Sequence, residues 1–268
     1  MSKCKGVVLV GFGAIGGAVA RLLAERGSAG RIAAIGLRET SLPRSGLPAK
    51  VPVLTDPSQL AGIAAGLVVE VAGRSAVAPW GRAALGAGMD FAVSSTSAFT
   101  DAALLDELTQ AARSHGAQLI IPPGALGGID ALSAAARMGL DLVEHRIAKP
   151  PGAWVGTEAE TLCDLASLRA PQAFFHGTAR EAATRFPQNA NVALVVALAG
   201  LGPDRTRVTL IADPNGAGNR HEIIAAGAFG RMALQFDNAP LAENPKSSAM
   251  TALSLVRLIE NTSAALAI

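Results

Sequence analysis

A glycine-rich turn, Gly11-Phe12-Gly13-Ala14-Ile15-Gly16, follows the apolar run Val7–Val10 and opens a helical pattern over Ala14–Ala24. Strand, turn and helix in that order restrict the possible folds more than any other feature of the chain. The first glycine permits a tight turn, the second lets backbone approach a pyrophosphate, and the third lets helix and strand pack closely. Helix N–H groups are then aimed at the phosphates. The G-x-G-x-x-G spacing alone is weak. After an apolar strand and before an amphipathic helix, it predicts a dinucleotide site built from Gly11, Gly13, Ala14, Ile15 and Gly16.

With 268 residues, half hydrophobic and 16% charged, the chain can bury the core of one large or two modest domains. A net charge of +2 with no run of Lys or Arg argues against a nucleic-acid partner. Apolar stretches such as Val192–Leu201 are too short for a bilayer span, and no membrane partner is expected. The first strand starts so early that no signal peptide is expected either. Cys4 and Cys163 are too few and too far apart for a disulfide scaffold. With only four histidines beside them, no metal site is expected, and cytoplasm is the expected compartment. The chain has no tyrosine, which excludes the Tyr-Lys pair of the short-chain dehydrogenases.

Short apolar strands alternate with amphipathic helices through the first half. Strands are predicted at Val7–Val10, Arg31–Leu37, Leu67–Val71, Asp90–Val93 and Gln118–Ile121, with helices at Ala14–Arg26, Val77–Ala87 and Asp101–His115. The fold class is α/β, with an N-terminal doubly wound, Rossmann-type parallel sheet. After Pro122-Pro123-Gly124 the texture changes. Gly127–Gly139 and Asn191–Ala199 read as helices. Strands are expected at Leu142–Ala148, Gln172–Thr178, Arg207–Ala212 and, as a hairpin, Glu222–Gln235. This predicts a second α/β domain with a mixed or antiparallel sheet. The expected division is residues 1–121 for dinucleotide binding, 122–243 for substrate, and 244–268 as a C-terminal helix packing back on the first domain. In that helix Asn244 would cap and Pro245 would occupy the first turn.

The ribose-binding position, roughly 20 residues beyond the glycines, reads Gly36-Leu37-Arg38-Glu39-Thr40-Ser41. No Asp ends the strand. Arg38 can pair with a 2′-phosphate, while Glu39 could bond a free ribose. The expectation is use of both NADP and NAD, leaning to NADP. Three loops at the carboxyl ends of the strands carry small residues that let backbone approach a nicotinamide. They are Glu70–Gly73 with Ala72, Ser94–Phe99 with Ser97 and Ala98, and Pro122–Gly128. Among the histidines, His221 follows the turn Asn215–Gly218 and should sit at a strand mouth rather than inside a core. An imidazole there can remove and return a proton at neutral pH. His115 and His145, in charged surroundings, are expected to be solvated.

Several further segments have a distinctive order and character: Ser95–Phe99, Pro123–Asp130, Lys149-Pro150-Pro151, Phe186–Ala193, Ala212-Asp213-Pro214, Asn219-Arg220-His221 and Asn244–Ser248. Together with Gly11–Gly16, they make nearly the whole chain resemble the L-aspartate dehydrogenases of NAD biosynthesis. The resemblance implies that His221 is catalytic, that Ala125 and Asn191 lie at the cofactor, and that the protein is a two-domain homodimer. Many relatives have Ser where Pro123 stands, and some have an acidic residue near Leu37-Arg38. The implied reaction is hydride transfer from L-aspartate to give iminosuccinate, released for quinolinate synthesis or hydrolysed to oxaloacetate and ammonia. His221 would accept a proton, and Lys149, Arg220 and Lys246 are candidates to hold the two substrate carboxylates. Homoserine dehydrogenases and dihydrodipicolinate reductases share the two-domain plan, so another substrate is an alternative. A non-catalytic dinucleotide sensor is a third reading.

Overall fold

The computed structural model describes residues 6–38, 46–187, 191–241 and 244–267, with only the backbone at Pro245 and Lys246. The chain divides into two compact units, Met1–Pro122 with Ala252–Ile268, and Pro123–Thr251.

In the first unit, β1 (Gly6–Val10), β2 (Ile32–Gly36), β3 (Val53–Leu54), β4 (Ala65–Glu70), β5 (Asp90–Val93) and β6 (Leu119–Ile120) form one sheet. Its order is β3-β2-β1-β4-β5-β6, and every pairing is parallel. Strands this apolar must be covered on both faces, and parallel neighbours need helical crossovers. These include α1 (Ala14–Glu25), α2 (Arg74–Gly86) and α3 (Ala102–His115). The predicted start of α3 was one residue early: Asp101 is its cap, accepting from the Ala103 and Leu104 N–H groups. Strand order reverses between β1 and β4, so the loops leaving β1, β4 and β5 emerge side by side. Val10 lies opposite Glu70, and Glu70 opposite Val93. That reversal is where doubly wound sheets bind ligands.

The second unit begins with α4 (Ile129–Ala135) and is built on β7 (Leu140–Lys149). There follow α5 (Ala159–Leu162), β8 (Gln172–Thr178), α6 (Ala179–Arg185), α7 (Asn191–Ala199), β9 (Arg207–Ala212), β10 (Asn219–Gly227) and β11 (Gly230–Asn238). The sheet order is β11-β10-β7-β9-β8, with β7 and β9 parallel and the other pairs antiparallel. It is therefore mixed. Alternation sorts its residues: Val143, His145, Ile147 and Lys149 of β7 are buried, as are Asn219, His221, Ile223 and Ala225 of β10. Arg146 and Arg220 are exposed on the other face. Ile147 belongs to an apolar cluster with Trp154, Phe175, Phe186 and Leu210, joined by Ala193 and Ala197 of α7.

One expectation fails. Asn244–Ser248 is not a helix start but a strand, β13, paired antiparallel with β12 (Pro240–Leu241). The Asn244 side chain donates to Ser247 Oγ instead of capping a helix. The helix, α8 (Ala249–Asn261), starts later, where Ser248 Oγ accepts from the Met250 N–H. Within the first unit, Glu260 of α8 accepts two bonds from Arg26, at 2.8 and 2.9 Å.

Candidate active site

The glycine turn tests whether a dinucleotide fits. Gly11 has φ +99°, and a Cβ there would stand 2.7 Å from the Ala72 backbone. At Gly16 a Cβ would meet Gly11 O at 2.3 Å, so helix and strand are in contact where the third glycine demands it. At Gly13 a Cβ would meet nothing within 4 Å. This residue precedes α1 without any side-chain cap. The first helical bond runs from the Gly17 N–H to Gly13 O, leaving the Ala14, Ile15 and Gly16 amides without helical partners. Uncapped amides beside open space suit a pyrophosphate, and the residues present fit the group.

The neighbouring loops are tied by a residue the sequence reading did not single out. Glu70, at the end of β4, is fully buried. Its Oε1 accepts from the Ala72 and Gly73 N–H groups at 2.7 Å and from the Ser95 hydroxyl at 2.9 Å. Its Oε2 accepts from the Ser95 N–H at 3.0 Å. Burial pushes its pKa up, opposed by those four donors. The available signal was a lone acid ending an apolar strand. Of the other cofactor candidates in this unit, Ser97 and Ala98 are buried, while Ala72 and, beyond β2, Arg38 are exposed. Glu39, Thr40 and Ser41 lie outside the described residues.

In the second unit, Ala125 is buried and its carbonyl accepts from Asn238 Nδ2 at 2.8 Å. Asn191 begins α7. His221 is the third residue of β10, near the strand mouth as read, but it lies in the buried layer with 2% exposure. Nor is it alone. The expectation of a solvated His145 is overturned: His145 is wholly buried, its Nε2 3.3 Å from His221 Nδ1. The charged neighbours Glu144 and Arg146 that suggested solvent point to the opposite face, because strand side chains alternate. Lys149, two residues past Ile147 on the same face, is 5% exposed, with Nζ 5.7 Å from the centre of the Trp154 ring.

Burial drives the electrostatics of this cluster. It takes His145 down to about 3 and Lys149 from 10.5 to about 8. His221 is held well below 6.5 by burial first, then by His145 and Lys149. Both imidazoles are therefore neutral at pH 7.

Arg220 is not brought to this cluster. It follows the opposite pleat, pairs with Glu222 at 2.9 Å, and lines a cavity of about 450 Å³ with Asp213 and Asp237. Two carboxylates make that cavity a poor host for a dianion. Lys246 stands on β13, and its side chain lies outside the description. His115 is exposed as read.

Residues 11–122 match the family described as homoserine dehydrogenase, NAD binding domain, and residues 130–262 match aspartate dehydrogenase, C-terminal. The chain is 60% identical to L-aspartate dehydrogenase of Brucella anthropi, over 97% of each protein. It is 42% identical to that of Pseudomonas aeruginosa, over 98% of this chain and 99% of the relative. The crystal structure of aspartate dehydrogenase from Thermotoga maritima superposes with a TM-score of 0.77 at 25% identity, covering 98% of this chain and 99% of that one. The chain belongs to the L-aspartate dehydrogenase family.

Proposed function

We propose that the protein oxidises L-aspartate to iminosuccinate, with His221 as a catalytic residue. The observation that carries this is the buried set of His145, His221 and Lys149 on one sheet face, nitrogen bases held away from water. A structural core gains nothing from such groups, since each costs desolvation. A substrate with an ammonium and two carboxylates uses them. When bound, a nicotinamide dinucleotide accepts the hydride; Gly11, Gly13, Ala14, Ile15 and Gly16 would hold its pyrophosphate. Ala72, Ser97, Ala98, Ala125 and Asn191 are proposed to border the remainder. Arg38 supports acceptance of NADP beside NAD, leaning to NADP.

Before the α-hydrogen can leave with its bonding pair, the substrate ammonium must surrender a proton to a neutral base. The carboxylates need cations or N–H donors. His221 and Lys149 stand where they can divide these duties, with Lys246 as a further candidate for a carboxylate. Arg220 cannot join them from its face. We further propose a homodimer, a cytoplasmic location and a role feeding pyridine nucleotide synthesis. Each is supported by the family, and the location also by the low cysteine count. Among the described residues no helix is long and apolar enough to cross a membrane.

The test is absorbance at 340 nm with L-aspartate, homoserine or no amino acid, using NAD and NADP in turn. Aspartate-dependent reduction is expected, and none with homoserine. His221→Ala should keep cofactor affinity within about twofold while turnover falls about 10²–10⁴-fold. Near-normal turnover in that variant removes His221 from the chemistry.

A further inference from the structure

His145 and His221 lie on neighbouring antiparallel strands. Ile147 of β7 is directly opposite His221, so His145 and Lys149 flank that imidazole diagonally on the shared face. The two rings are joined through His145 Nε2 and His221 Nδ1 at 3.3 Å, with their planes inclined at 41°.

A neutral imidazole has one N–H and one lone pair. Across this gap one ring must donate and the other accept, so the two tautomers are locked together. If His221 Nδ1–H donates, the proton of His145 is forced onto its Nδ1. That atom is buried and meets no partner among the described residues. If His145 Nε2–H donates, the same atom keeps only an unused lone pair. An orphaned buried N–H is the rarer and costlier defect. The second arrangement places the His221 proton on Nε2, the nitrogen that remains for a ligand.

We propose that His145 is a positioning residue that holds neutral His221 in its Nε2–H tautomer, so that His221 donates to a substrate carboxylate and Lys149 takes the ammonium proton. In this step the Lys149 amine forms a new N–H bond and the substrate N–H bond breaks, its electrons staying on the substrate nitrogen. Those electrons become the second bond of C=N as the α-hydrogen departs with its pair. His221 cannot share the task, because its Nε2 already carries a proton and its Nδ1 is taken by His145. The pKa of Lys149, brought to about 8 by burial, leaves a usable neutral fraction at physiological pH.

This inference rests on the dehydrogenase reading above, but it can be tested apart from it. Nitrogen-15 spectra of histidine-labelled protein, without cofactor and with NADP, report which ring nitrogen of His221 is protonated. The expected result is Nε2–H in both states. In His145→Phe the proton should redistribute towards Nδ1. In His145→Gln, whose amide N–H reaches the same acceptor, it should stay on Nε2. Turnover should fall about 10- to 100-fold in His145→Phe, the scale for removing a partner that orients a histidine, and recover substantially in His145→Gln. A purely packing role would not separate these variants in that order. A wild-type His221 protonated on Nδ1, or one whose protonated nitrogen ignores His145→Phe, overturns the proposal even if the variants fail to fold well. Absence of aspartate oxidation by the wild type would overturn the substrate reading instead, while the nitrogen assignments would still stand.

Discussion

Replacing Lys149 by methionine separates what this side chain costs the fold from what it contributes to chemistry. Burial lowers its pKa from 10.5 to about 8. Each tenfold change in acidity is worth about 1.4 kcal/mol, so the buried ammonium costs the folded state about 3 kcal/mol at pH 7. Methionine has similar length and no charge, but it forfeits the polar interactions of the ammonium, among them its attraction for the Trp154 face, worth about 0.5–2 kcal/mol. The net expectation is a variant about 1–3 kcal/mol more stable at pH 7, or about 2–4 °C in Tm per kcal/mol for a chain of this size. The pH dependence fixes the cause. The folded pKa lies below the unfolded one, so between pH 8 and 10.5 the unfolded chain binds the extra proton and wild-type stability rises with pH. The advantage of the variant should be full below pH 8 and shrink steadily above it. Urea unfolding followed by circular dichroism at several values from pH 7 to 9.5 reads this directly, and aspartate turnover should be lost at all of them. A variant less stable than wild type at pH 7, or a difference that does not shrink with pH, refutes the reasoning.

Three other substitutions probe the first unit. Glu70→Gln keeps one accepting oxygen but turns an NH₂ group towards the Ser95 N–H, which now donates to Oε2. It should cost about 1–3 kcal/mol in thermal unfolding and weaken cofactor binding; unchanged values for both would show that the clamp is idle. Gly13→Ala places a methyl in open space, so stability should move by less than about 0.5 kcal/mol. Cofactor affinity, read by fluorescence titration, should nonetheless fall at least about tenfold as the methyl obstructs the pyrophosphate; normal affinity would disqualify this turn as the cradle. Arg38→Asp should shift the NADP-to-NAD affinity ratio towards NAD by about tenfold or more, and an unmoved ratio would mean that the 2′-phosphate is read elsewhere.

Most of the first sheet was legible because its strands carry a local signature, four to six apolar residues between glycine and helix signals. Helix α3 was predicted to within one residue because Asp101 and Gly116 mark its ends in the sequence. The two-residue strand β3 offers too little pattern to read. Helix α6 was missed although Thr178 and Glu181 spell a capping box, a signal that could have found it. His145 was misread for a different reason. Its flanks are charged, and only the period of two, applied once β7 is known to be a strand, puts Val143, His145, Ile147 and Lys149 on one face. Its partner His221 lies 76 residues away, and no local pattern encodes a pairing register. Arg220 failed by the same rule: adjacent to His221 in sequence, it must point away from it in a strand.

The two units divide the work along physical lines. On the proposed reading, the glycine turn, the uncapped amides of α1 and the Glu70 tie would respond to features that any nicotinamide dinucleotide shares, and so would say little about substrate. Discrimination must come from the second unit. There, three nitrogen bases lie close on one buried face, and His145 and Lys149 both hold the His221 pKa down. Protonating more than one of them without compensation is unfavourable in so dry a place. A dicarboxylic amino acid supplies the missing negative charge along with the proton to be removed. A neutral-side-chain analogue such as homoserine brings one carboxylate fewer, and leaves the ammonium form of Lys149 less well compensated after proton transfer. With the substrate placed there as proposed, the same groups that destabilise the empty fold would favour the doubly anionic substrate over relatives with one carboxylate fewer.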